Sequence, residues 1–136
     1  MAGLRAVSGA RQRVEEARRY LEEGRALVDR DPVQASEKLY KAAEEAVKAL
    51  AECTGLEDVL RRMGERGRWT VADLEKAVLR LSERLGGWVR PAWDSAWALH
   101  VWGFHEGKFD AEDVAARAPD VERLVREAER CARREL

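Results

Sequence analysis

The chain has 136 residues, 46% hydrophobic and 38% charged, and a formal net charge of −1. That length suffices for one buried core, and the even supply of apolar and charged residues excludes a disordered chain. The near-neutral balance argues against a domain that grips a nucleic-acid backbone by a global basic excess, and no apolar run nears the roughly 18 residues of a membrane span.

Periodicity predicts helices throughout and no strand. The first is expected from about Ser8, as N-cap, to about Asp29. Val14, Ala17, Leu21 and Val28 form its apolar stripe, and Gly24 marks a bend or a close helix contact. Asp31 and Pro32 supply an N-cap and a first helical residue for the second, which runs to about Cys53 and stops at Thr54-Gly55. Ser36, Leu39, Tyr40, Ala43, Ala46, Val47 and Leu50 form its buried stripe, and its alanines admit a close neighbour.

A short helical segment, Leu56 to Met63, leads to a loop over Gly64 to Arg68. Thr70 with Asp73 makes a variant capping box for the third main helix, whose seam is Val71, Leu74, Val78, Leu81 and Leu85 and whose end is Gly86-Gly87. The fourth, Val89 to Glu106, is apolar almost all round, with Trp93, Trp97, His100 and Phe104 on one face, which predicts the bundle centre or a subunit interface. After Gly107, Asp110 and Asp113 open a short segment to Arg117. Pro119 then restarts the last helix, packed through Val121, Leu124, Val125, Ala128, Cys131 and Ala132. No internal repeat is visible. The expected fold is all-α: one domain over residues 1–136, an antiparallel up-and-down bundle of about five main helices.

Chemistry-bearing residues are few. His100 and His105 are the two histidines, and five residues on an α-helix set them roughly 140° apart. One α-helix cannot aim both at a single ion, so neither a metal site nor a cofactor is expected. His100 lies among aromatic residues, as a hydrogen-bonded core histidine would. His105, near a helix C-terminus, is the better solvent-facing acid, base or phosphate contact, with Glu106 or Asp94 to orient it. Four of the five tryptophans fall between Trp88 and Trp102. Packing is the simpler account of them. The sharper one is a cleft in which Trp97 stacks a nucleobase while Arg90 or Lys41 takes phosphate. Lys41, Glu44, Glu45 and Lys48 have the spacing of intrahelical ion pairs. Cys53 and Cys131 read as two buried thiols, with a disulfide between them as the lesser alternative. No P-loop, Gly-x-Gly-x-x-Gly or Gly-x-Ser-x-Gly string is present.

The stretches Ala35–Leu50 and Trp97–Glu106, the second carrying a Leu-His-x-x-Gly-Phe-His-Glu run, resemble the archaeal PaREP-type proteins of the HEPN superfamily. The likeness extends from about Glu15 to Arg130. It implies an up-and-down bundle, homodimerisation through helix faces, nucleotide or RNA chemistry and, as for some relatives, a separately encoded nucleotidyltransferase as companion. The Arg-x4–6-His motif of the superfamily's ribonucleases is missing. Trp93, Asp94 and Ser95 stand at that distance before His100, Ala98, Leu99 and His100 before His105, and Arg90 is too far upstream.

The resulting expectation is a non-catalytic nucleotide- or RNA-binding module, or a nucleotidyltransferase partner, with ligand contacts at Trp97, His100, His105, Arg90 and Lys41. The rivals are a metal-independent ribonuclease acting through His105 and a purely structural interaction protein. The arginine-rich composition, 20 Arg to 5 Lys with few Asn and Gln, fits a thermophilic source. Residues 1–13 lack a secretory apolar core, which predicts a cytoplasmic protein.

Overall fold

The computed structural model describes residues 2–134, with side chains from Gly9 onward. Along the chain run α1 (Ala2–Leu27), α2 (Pro32–Thr54), α3 (Glu57–Arg66), α4 (Val71–Leu85), α5 (Val89–Ala98) and α6 (Ala111–Arg134), and α5 continues directly into a π-helix, Leu99–His105. Among the described residues there is no strand, and no helix is long and apolar enough to cross a membrane. Over those residues the count is six helices plus a π segment rather than five.

Contacts fix the directions. Arg13 of α1 reaches Glu52 of α2 (2.7 Å), while Gly24 meets Leu39, so α1 and α2 run antiparallel. A Cβ on Gly24 would sit 2.9 Å from the Leu39 side chain, and its absence lets the two helices close. Arg18–Glu129 and Arg25–Glu122 set α6 antiparallel to α1. Ser95–Asp120 (2.5 Å) and the stacking of Arg123 on Trp88 set it antiparallel to α5. Helices α1 and α5 thus flank the α2/α6 pair, and α3 packs against α4 through Asp58–Arg80 (3.3 Å) and Arg66–Asp73.

The centre of the molecule is α2, not the tryptophan-rich helix. Eleven of its 23 residues are buried, more than one face accounts for. Six of the eleven are alanines, which narrow the helix enough for neighbours to approach from several sides. Leu39, Val47 and Leu50 are fully buried, each contributing about 1.5–3 kcal/mol of apolar burial. Asp31 caps its start through the Gln34 N–H (3.1 Å), and Gly55 closes it in the left-handed conformation.

Several boundaries differ from expectation. Helix α1 begins at Ala2, so Ser8 lies within it and not at its cap; the Ser8 side chain is outside those described. Helix α3 continues through Gly64 to Arg66, because the left-handed position that ends it is Gly67 (φ 75°). Val71 is half exposed and leaves the α4 seam to Leu74, Ala77, Val78 and Leu81. Helix α6 runs unbroken through Pro119. Val114 and Ala118 on one side and Val121 and Leu124 on the other are all buried in the core, and that packing outweighs the roughly 3 kcal/mol cost of an interior proline. Cys53 and Cys131 are joined in a disulfide that ties the end of α2 to α6. A tertiary contact across 78 residues brings the thiols together, and nothing local announces it.

Candidate functional site

The α5–π transition decides the site. In the π segment hydrogen bonds reach one residue further back, as in Glu106 N–H to Val101 O (2.9 Å), and the wider turn brings residues five apart over one another. His105 therefore returns above His100 rather than pointing about 140° away. Their Nε2 atoms are 3.3 Å apart and their rings meet edge to face at 4.5 Å. The premise that one helix cannot aim both histidines at one point holds for an α-helix and fails here.

Gly103 seats this segment. It is buried against α2, where a Cβ would overlap the Ser36 hydroxyl and press on the Phe109 ring. Ser36, itself fully buried, donates to Pro32 O (2.8 Å), so its polar atom is satisfied within its own helix.

On the other side of His100, Nδ1 lies 2.8 Å from Glu37 Oε1 of α2. A carboxylate accepts, so Nδ1 of His100 carries a proton; in the neutral ring its Nε2 is then bare and accepts from the His105 Nε2–H. The result is a chain from Glu37 through His100 to His105. Tyr40 stacks on the His100 ring (4.1 Å, 23°) and holds its plane, while Trp97 lies 5.2 Å from it. Burial, then the nearby Glu44 and Glu37, push the Tyr40 hydroxyl well above its ordinary value, so Tyr40 stays a neutral platform. Side-chain exposure falls along the chain from an exposed His105 to 21% for His100 and 17% for Glu37.

Of the expected residues, the structure brings Trp97, His100 and His105 together. Lys41 is exposed on α2, four residues from Glu37 and so on the same face, with its ammonium 5.7 Å from the Tyr20 ring. It takes no part in the expected ion pairs, which Lys48 makes with Glu44 (2.8 Å) and Glu45 (3.7 Å). Asp94, Glu106 and Arg90 are exposed, and among the described residues none of them bonds either imidazole. The orienting carboxylate is Glu37 instead. It and Tyr40 escaped sequence reasoning as site residues. Tyr40 fits a buried stripe, and Glu37 resembles any solvated glutamate until a partner 63 residues away arrives. Trp93 is fully buried, its indole N–H donating to Glu75 (2.5 Å), and is core. Trp102 points outward and is 52% exposed.

A crystal structure of a protein from Sulfolobus solfataricus is 38% identical to this chain and superposes with a TM-score of 0.80, over 85% of this chain and 95% of that one. A solution structure of the Orf c02003 protein, the same structural-genomics target, is 38% identical with a TM-score of 0.76, over 85% of this chain and 90% of its own. No curated protein matches the chain. The profile of the archaeal PaREP1/PaREP8 family matches residues 12–125, a span holding all of Glu37, Tyr40, Trp97, His100 and His105, and the chain belongs to that family.

Proposed function

We propose that the protein is an HEPN-like helical-bundle module that binds a nucleotide or an RNA end at the π-helix. The observation that carries this reading is the hydrogen-bonded chain Glu37–His100–His105, which ends in an exposed imidazole held in place by partly buried partners. When protonated, His105 still has its Nδ1–H to offer an anionic oxygen, and Lys41 on the adjoining face of α2 adds a cation without a carboxylate partner among the described residues. The half-buried Trp97 beside His100 offers the apolar flank on which a base rests. Titration with nucleoside phosphates and short RNAs, followed by tryptophan fluorescence and imidazole NMR shifts, tests it. A saturable response that weakens at least tenfold in His105→Ala supports the site, and unperturbed imidazoles at saturating ligand sink it.

A second reading, a metal-independent ribonuclease, draws on the same geometry. His105 would serve as general acid–base and His100, fixed by Glu37, would orient it, in place of Glu106 or Asp94. The missing Arg-x4–6-His spacing weighs against it. RNA left intact by nuclease-free protein removes this reading, whereas cleavage lost in a folded His105→Ala variant establishes it. In either case the module acts in the cytoplasm as a homodimer or as the helical companion of a separately encoded nucleotidyltransferase. The exposed Trp102 offers either partner a large apolar anchor.

A further inference from the structure

We infer that the His100–His105 pair is a binding site for a late first-row divalent metal ion of the zinc or cobalt type. Three features point there. The two Nε2 atoms are 3.3 Å apart, within the span that one ion bonded at about 2.0–2.1 Å to each can bridge once the exposed His105 ring turns off the line between them. Glu37 accepts from Nδ1 of His100, the carboxylate–imidazole arrangement that fixes a metal-binding histidine in the tautomer with a bare Nε2 and raises its basicity. Tyr40 stacks on that ring and limits its rotation. His105 is exposed, so an ion has an entry path, and the ring turns about its own side-chain bond to aim its lone pair.

For the ion to bind, His105 changes to the tautomer protonated at Nδ1, its Nε2 proton exchanging through water, and the two metal–nitrogen bonds form on the bare Nε2 lone pairs with no net loss of a proton from neutral imidazoles. Among the described residues no group of three or more His, Cys, Asp or Glu converges on one point. The site is therefore a two-histidine one, its remaining positions open to water or to an anionic oxygen, and it binds less tightly than a closed four-ligand site. Both cysteines are locked in the disulfide and do not compete. The inference stands without the nucleotide reading, since no nucleotide enters it.

The test is a titration of the oxidised full chain with Co2+, in thiol-free and chelator-free buffer, followed by the visible d–d bands of tetrahedral cobalt. Calorimetry with Zn2+ runs in parallel. One ion per chain is expected, with Zn2+ displacing Co2+. His105→Ala, at an exposed position that leaves the core intact, should abolish the bands, and Glu37→Ala should weaken binding about 10–100-fold. Circular dichroism confirms that each variant is folded. Absence of saturable binding overturns the inference. So does binding undiminished in folded His105→Ala, which would place the ion elsewhere, such as the hollow of about 410 Å³ on α1 and α2 that Glu16, Glu45 and Glu52 line.

Discussion

Gly103 is the residue on which the site geometry turns. It lets the π-helix lie directly on Ser36, and the extra residue in the turn carries His105 back over His100. Gly103→Ala would force a methyl into the Ser36 hydroxyl and the Phe109 ring. Ordinary overpacking costs about 1–3 kcal/mol, which a thermal melt would register as a lower midpoint. The same change should separate the imidazoles, so ligand or metal binding should fall in protein that still folds. An unchanged melt with unchanged imidazole shifts would show that the contact is loose. None of this is legible from local sequence, because a glycine amid apolar residues reads equally as a packing notch or a helix end. The residue types themselves are legible: two histidines, four clustered tryptophans and an unusual Leu-His-x-x-Gly-Phe-His-Glu string mark this stretch by composition alone.

At the scale of elements, chain-local chemistry was the dependable signal. The Thr70–Asp73 capping box forms in both directions, with Asp73 N–H donating to Thr70 Oγ1 (3.2 Å) and Thr70 N–H to Asp73 (2.9 Å). Burial alone would raise the Asp73 carboxyl, but hydrogen bonds from Arg66 and Thr70 outweigh it and hold its pKa below the ordinary value. A depressed pKa in the folded state stabilises fully above the unfolded value of about 3.9 and is lost as pH falls through the lower, folded one. Asp73→Ala should therefore cost about 0.5–2 kcal/mol at neutral pH, and the deficit should shrink in acid below about pH 3.9. Denaturant melts at both pH values check this. A deficit that stays constant would mean that the side chain acts by packing and not by charge.

Tertiary contacts overrode local signals where those signals were only permissive. Pro119 is compatible with a helix start, yet burial on both sides of it keeps α6 continuous. The π turn replaced an α turn for a similar reason. Gly103 is buried against Ser36 of α2, and the segment ends before Gly107, where φ is positive.

At the scale of the whole molecule, the Cys53–Cys131 disulfide joins the central helix to the last one across 78 residues. Closing a loop of that length removes denatured-state entropy worth about 4 kcal/mol in the chain-entropy account. Reduction should accordingly lower the melting midpoint by on the order of 10 °C while leaving helicity intact below it. A reduced protein that melts with the oxidised one would show that the core alone sets stability.

The sequence by itself determined that this protein is helical, where most of its helices begin and end, and which faces are apolar. Those properties arise from residues within one or two turns of each other, through capping hydrogen bonds, backbone restrictions and helical periodicity. Only the tertiary structure decided that α2 is the centre, that Cys53 meets Cys131, and that Glu37, His100 and His105 form one hydrogen-bonded chain. Each of these depends on which helices become neighbours, and the conversion of an α turn into a π turn moves a side chain to a new side of its helix. That choice is set by the fit of whole surfaces, such as Gly103 on Ser36 and Gly24 on Leu39, and no single stretch of chain contains both halves of such a fit.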